Sequence, residues 1–324
     1  MGKNSRIEWT HHTFNPWIGC AKIAPGCDHC YAASQFQDRF RLVRWGTDGT
    51  RRRTSDANWQ LPRRWNMEAS VLERRQRVFC GSCCDVFEDR EELRPWRRDL
   101  WALIGECESL DWLLLTKRPH NVGRLWPMMG PPITQLHELQ RFSNIWLGVS
   151  VSDQATADEL IPMLFRYRRI CPVLFVSAEP LLGPIDLALV PGDASQLDWV
   201  IAGGETGPRA RPMHPRWAMD LAKQCDEAGI AFFFKGWGSW APCAGCQDPR
   251  PGRRPTRHAV VSLSGELTIQ FQDHPRVGET RRSQAIMSRV GRRAAGRELA
   301  GRILDEMPSS KTAANGSIGH VPAV

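Results

Sequence analysis

Three cysteines near the amino terminus, Cys20, Cys27 and Cys30, are spaced C-x6-C-x2-C, with Pro25-Gly26 loop chemistry between the first two. Three thiolates on one short loop suit a soft metal site and leave one coordination position unfilled. Two arrangements compete on the residues alone. A structural zinc site closes on four ligands, commonly two C-x2-C pairs. Cys27 and Cys30 make one such pair and Cys20 adds a third ligand, His29 is awkwardly placed as a fourth, and Cys243-Ala-Gly-Cys246 offers a distant second pair. A [4Fe–4S] cube on three cysteines leaves one iron free for a substrate or cofactor. The place of the triplet, ahead of the first helix, favours the cube. An iron–sulfur centre that is purely redox or structural is a third reading.

Other chemistry-bearing residues recur at one kind of position. Apolar runs of strand length end in Asp85, Lys117, Asp153, Glu179, Glu205 and Lys235. In a (β/α) barrel such ends gather on one face, where active sites sit. His214, ahead of Pro215, is a candidate acid or base at that mouth. Cys80, Cys83 and Cys84, with Cys243 and Cys246, offer a second metal site, although buried cysteines usually serve as small apolar residues. Cys107, Cys171 and Cys225 read as packing, and His11 and His12 as surface residues.

The elements that must position these groups follow from the pattern. Continuous apolar runs at 78–80, 112–116, 145–151, 173–177, 199–202 and 230–234 suit parallel strands buried on both faces. A short, irregular strand within 7–19 precedes the cysteines, and 31–40 is the first helix. Trp96, Leu100, Leu103 and Ile104 share one helical face. Pro215 suits a helix start, with Trp217, Leu221 and Cys225 repeating after it and Gly229 at the stop. Thr156 and Glu159 suggest a capping box. The order is β-α-β-α throughout, which predicts an α/β fold, a full or partial (β/α) TIM-like barrel of parallel strands with a basic C-terminal extension. The expected division is a barrel with its metal loop over 1–240, then a loop, a small hairpin near Ser264-Gly265 and one or two basic helices over 241–307. Disorder is expected over 308–324.

Composition sets the bounds. The chain has 324 residues, eleven of them cysteine, and a formal net charge of +8. A core of this size needs no disulfide staples. No apolar run reaches membrane-spanning length and the first residues lack a secretory leader, so the expected compartment is the cytoplasm, where thiols stay reduced. Arginines cluster at 51–53, at 63–64, and over 276–302, where eight face two glutamates. Such clusters either neutralise phosphates or form a solvated basic surface. Fourteen tryptophans against two tyrosines read mainly as core.

The chain also resembles a protein family of unassigned function carried by phages and bacteria. The likeness rests on ordered blocks from about residue 5 to 308, among them Phe14-Asn-Pro-Trp-Ile-Gly-Cys20, Pro25-Gly-Cys-Asp-His-Cys-Tyr-Ala32, Asp85-Val-Phe87, Leu115-Thr-Lys-Arg-Pro119, Trp146-Leu-Gly-Val-Ser150, Ser177-Ala-Glu-Pro-Leu-Leu-Gly183, Gly203-Gly-Glu205, Ala210-Arg-Pro-Met-His214, Phe233-Phe-Lys235 and Val290-Gly-Arg-Arg-Ala-Ala-Gly296. That family in turn is similar to the radical S-adenosylmethionine superfamily, whose usual spacing is C-x3-C-x2-C; the longer first gap here is a departure. His29 stands where the superfamily often has an aromatic, and Tyr31 follows the last cysteine. The resemblance implies a [4Fe–4S] cluster on Cys20, Cys27 and Cys30 and S-adenosylmethionine positioned by Asp85, Ser150, Glu179 and Glu205. It implies a 5′-deoxyadenosyl radical and an external electron donor. Lys117 would counter a carboxylate or phosphate. Gly203-Gly204-Glu205 matches a superfamily amine-binding segment in composition but follows a late strand. The arginine clusters suggest a nucleic acid or nucleotide substrate.

Overall fold

The computed structural model describes residues 2–126, 142–243, 257–270 and 283–308. At its centre is an eight-stranded sheet. β1 (Gly2–Lys3) lies antiparallel to β2 (His12–Phe14), and a small pair follows, β3 (Trp17–Ile18) with β4 (Arg52–Arg53). From β2 the large sheet continues in parallel through β5 (Gln76–Cys80), β6 (Leu110–Thr116), β7 (Ile145–Val151), β8 (Val173–Ala178), β9 (Trp199–Gly203) and β10 (Ala231–Gly236). Each strand pairs with the next in sequence, so the order has no reversal. The six predicted runs are β5 to β10, and the short irregular strand before the cysteines is β2.

The helices are α1 (Tyr31–Ala33), which continues as a π-helix over Ser34–Arg39, then α2 (Asp56–Val71), α3 (Arg94–Glu106), α4 (Pro119–Leu125), α5 (Gln154–Phe165) and α6 (Pro215–Ala228). Pro215 is the first residue of α6, and Gly229 ends it in the left-handed conformation with φ 66°. The α5 cap differs from expectation. Asp153, not Thr156, is the N-cap, and Thr156 closes the box three residues on. A carboxylate accepts the free amides of a first turn at least as well as a hydroxyl.

Side chains alternate between the two faces of the strands, and each face has its own core. Val78, Leu114, Leu147, Val176 and Val200 join the helices in the larger cluster. Phe79, Leu113, Trp146, Phe175, Trp199, Ile201 and Phe233 point the other way and form a second cluster with Trp9. Trp9 meets Phe79 on β5 at 4.7 Å and Trp199 on β9 at 6.0 Å between ring centroids. The sheet is therefore curled around a plug of rings. Gly148 makes room for it, because a Cβ there would lie 2.4 Å from the Phe175 ring. Burying a phenylalanine such as Phe175 contributes about 1.5–3 kcal/mol. Twelve of the fourteen tryptophans are buried, which settles most of them as core.

Curling stops short of closure. Among the described residues no ladder joins β10 to β1 or β2, so they form an eight-stranded, mostly parallel sheet with no closing pair. A strap covers the free edge of β10 instead. After the tight pair β15 (Glu298–Leu299) and β16 (Arg302–Ile303), the Phe234 amide donates to the Leu304 carbonyl, Asp305 bridges Phe233, and the Trp199 indole donates to the Glu306 carbonyl. A second sheet has the order β11 (Trp240–Pro242), β14 (Gln284–Arg289), β12 (His258–Ser262), β13 (Leu267–Gln270). β12 and β13 are the predicted hairpin.

The basic helical extension is corrected. Residues 284–289 form a strand, and only Arg292–Ala295 (α7) is helical. Pairing on both sides of β14 supplies its hydrogen bonds, while Gly291 and Gly296 bracket α7 too closely for a longer helix. Residues 309–324 lie outside the described residues, as do 244–256 of the predicted exposed loop.

Candidate functional site

At the carboxyl ends of the parallel strands, polar groups replace the ring plug and join in one chain of hydrogen bonds. Asp85, after β5, accepts the Lys117 amide at 3.3 Å. Lys117, after β6, donates through Nζ to Ser150 Oγ at 2.7 Å. Ser150, at the end of β7, donates to the Glu179 carbonyl at 3.3 Å. Glu179, after β8, accepts from Lys235 Nζ of β10 at 3.0 Å and from Ser177 at 3.4 Å. Five of the predicted positions thus share one surface. Lys117 meets only a neutral hydroxyl among the described residues, so its charge is left for a ligand.

The cysteine loop crosses this surface. Gly26 lies directly on it: a Cβ there would stand 2.5 Å from Ser152 Oγ and 3.6 Å from Lys117 Cε. Two arginines lash the loop down. Arg118 pairs with Asp85 at 2.8 Å, with both side chains 8 % exposed, and donates to the Ala21 carbonyl at 3.0 Å. Thr116 and the Phe87 amide complete the Asp85 shell. On the opposite side Arg211 grips both oxygens of Glu205 at 2.7 and 2.9 Å and donates to the Pro25 carbonyl at 3.0 Å. His29 Nδ1 sits 3.0 Å from Glu205. Burial raises the Glu205 carboxyl, but the bonds from Arg211 and His29 outweigh it and hold the pKa below the usual range. Asp85 and Glu205 therefore position the loop, and the direct cofactor contact expected of them would have to share those bonds.

Cys20, Cys27 and Cys30 are free and partly accessible. Their donor chemistry fits a thiolate-bound metal. Their placement does not gather them: among the described residues no three His, Cys, Asp or Glu side chains converge to hold a metal ion. Burial, with Asp85 adding to it, pushes the Cys20 thiol up to about 12, while Arg118, 3.6 Å from the sulfur, draws it back. Cys80, Cys83 and Cys84 are buried and free, as are Cys107, Cys171 and Cys225. Cys243 is disulfide-bonded, so its sulfur is not a thiolate ligand in this state; Cys246 lies outside the described residues.

A cleft of about 800 Å³ opens on the outer side of the loop. Its walls include Cys30 and Tyr31, Arg39 of the π-helix, Trp45, Lys22 and Arg209. Tyr31 is anchored through its hydroxyl, which donates to the Ser82 carbonyl at 2.7 Å.

Other expectations change. His214 caps α6: its Nδ1 accepts the Arg216 amide at 3.1 Å, and burial lowers its pKa. It is a structural cap, hydrogen-bonded to none of the polar chain among the described residues, so its acid–base role has no support from position. Asp153 is likewise a cap. His12 is buried and stacked on Trp65 at 4.3 Å, not a surface residue. The arginine clusters are engaged only in part, and Arg52, Arg64, Arg292, Arg293 and Arg302 are exposed. Arg51 is buried in a two-pronged pair with Glu88, Arg53 pairs with Asp56 and Asp99, and Arg63 with Glu106. Sequence reasoning assigned no role to Arg118 or Arg211. Arg118 directly follows the strand-end Lys117 and Arg211 lies six residues after the strand-end Glu205, the one signal that marks them.

A family profile described as a protein of unknown function, DUF5131, matches residues 4–308. The chain belongs to the DUF5131 family. This agrees with the expected family of unassigned function and its span. The DUF5131 match takes in the cysteine loop, the polar chain and the strap alike. No curated protein and no solved structure matches the chain. Among the described residues no helix is long and apolar enough to cross a membrane.

Proposed function

We propose that this DUF5131 chain is a radical S-adenosylmethionine enzyme whose [4Fe–4S] cluster is held by Cys20, Cys27 and Cys30. The observation that supports it is the place of the loop: three free cysteines lashed by Arg118 and Arg211 over the polar carboxyl ends of a parallel, sequentially ordered sheet. A bound cluster would supply the one-electron cleavage of S-adenosylmethionine, with the electron from an external donor. The chain's own residues orient and exclude. The uncompensated Lys117 faces the anionic end of a ligand, and Glu179, steadied by Lys235 and Ser177, faces a cationic one. The ring plug keeps water from reaching the site from below. Assembly requires the loop to draw its sulfurs together between its two lashings.

Anaerobic purification, iron and sulfide reconstitution, reduction and addition of S-adenosylmethionine test the reading. A brown protein that releases 5′-deoxyadenosine is expected, and Cys27→Ala should lose both colour and product, because a cube seldom persists on two thiolates. A brown protein that never cleaves the cofactor, or a colourless one that retains zinc, would overturn it.

A further inference from the structure

We infer that the cleft beside Cys30 receives a nucleotide, its phosphate against Arg39, Arg209 and Lys22 and its base against Trp45. The inference names the substrate class of the proposed enzyme and rests on that reading for its reaction, though not for binding. Several cations of the arginine clusters are already engaged. Arg51 and Arg53 are ion-paired, Arg289 donates to the Gly207 and Pro208 carbonyls, and Arg297 pairs with Glu8. The cleft keeps its cations. Among the described residues neither Arg39 nor Arg209 has a carboxylate partner, and Lys22 donates only to the Asp28 carbonyl at 2.9 Å. The Arg39 guanidinium lies 5.4 Å from the Phe40 ring centroid, a contact that leaves its edge open to donate.

Two carboxylates also line the cleft, and both have partners. Asp28 is paired with Arg211 at 3.4 Å, and Asp38 accepts the Gln37 amide at 3.2 Å. The balance is positive, as a phosphate requires. Trp45 supplies the other half of the recognition. Twelve tryptophans are buried; of the remaining two, Trp45 alone lines this cleft. A cation beside an aromatic face is the pairing that single nucleotides and single strands use. The volume lies within the range of roughly 300–1,000 Å³ usual for small-molecule sites. The inner face of the sheet is filled by rings, so a substrate must come to the loop from the side, where Cys30 and His29 form part of the wall.

The test is direct binding to the full-length chain without the cluster, with nucleoside 5′-monophosphates, nucleosides, inorganic phosphate and a short fluorescein-labelled single strand as probes. Nucleotides and the strand are expected to bind, with nucleosides and phosphate each at least about tenfold weaker. Arg39→Gln with Arg209→Gln should flatten the salt dependence of strand binding by about 0.7 in log–log slope, the value for one phosphate contact. Trp45→Leu should weaken nucleotides about tenfold and leave that slope unchanged. Circular dichroism of each variant guards against a folding defect. Absence of nucleotide binding, equal binding of phosphate alone, or binding indifferent to all these substitutions would overturn the inference. Because no cluster is needed, a chain that binds nucleotides but never cleaves S-adenosylmethionine supports this inference while sinking the radical reading. A chain that cleaves the cofactor and ignores nucleotides does the reverse.

Discussion

Arg118 holds a buried charge pair and the cysteine loop with one guanidinium. Removing it leaves Asp85 buried without its charged partner, so Arg118→Met should cost about 3–5 kcal/mol in urea unfolding. Asp85→Asn together with Arg118→Met should recover part of that loss, because the stranded charge is then gone. Full stability in the single variant would show that the pair does not hold the loop. At this scale the sequence was partly legible. The cysteines stand out by spacing, and Asp85 and Glu205 stand out as acids at strand ends. Their partners were hidden because a charge pair is set by which loops meet in space. Arg118 lies 33 residues from Asp85, and Arg211 six from Glu205 across a turn that no periodicity announces.

Gly148 and Phe175 show how one strand makes way for its neighbour. Gly148→Ala places a methyl group inside the Phe175 ring and should destabilise by about 1–3 kcal/mol. Pairing it with Phe175→Leu should restore most of the loss in a double-mutant cycle; strictly additive costs would show that the two do not meet. The residue that leads into β2 carries a pH dependence. His11 Nδ1 accepts the Arg77 amide at 2.8 Å, and burial foremost, then the Arg77 charge, lowers its pKa to about 4 from 6.5. The unfolded chain binds that proton near 6.5 and the folded chain only near 4. Stability therefore falls as pH drops through this window. Burial lowers His12 and His214 in the same direction. The melting temperature should decline from about pH 6.5 towards 4, and His11→Gln should make the decline shallower; a flat profile would contradict the buried neutral ring. The long central strands were legible because each is a continuous apolar run. β14 was not, because it is six residues at the start of a segment, 283–304, rich in arginine and glycine, and only its pairing with β12 and β11 makes it extended.

In the whole molecule the strap substitutes for ring closure. Arg297 ties it to Glu8 and lies 4.8 Å from the Phe233 ring centroid, and Trp199 donates to Glu306. Ending the chain after Gly296 should lower the melting temperature by more than about 4 °C and open the ring plug to apolar dyes; an unchanged melt would mean that the edge of β10 needs no cover. The parallel α/β architecture could be read in advance, because strand order followed from alternating runs. The incomplete closure could not, since it depends on which distant segment reaches β10 first.

The tight filling of the inner face has an outcome for reach. Among the described residues rings fill the inner face of the sheet, so on the proposed reading a substrate is met at the rim. A rim places no ceiling on the length of its guest, and one unit of a long polymer is handled there as readily as a free monomer.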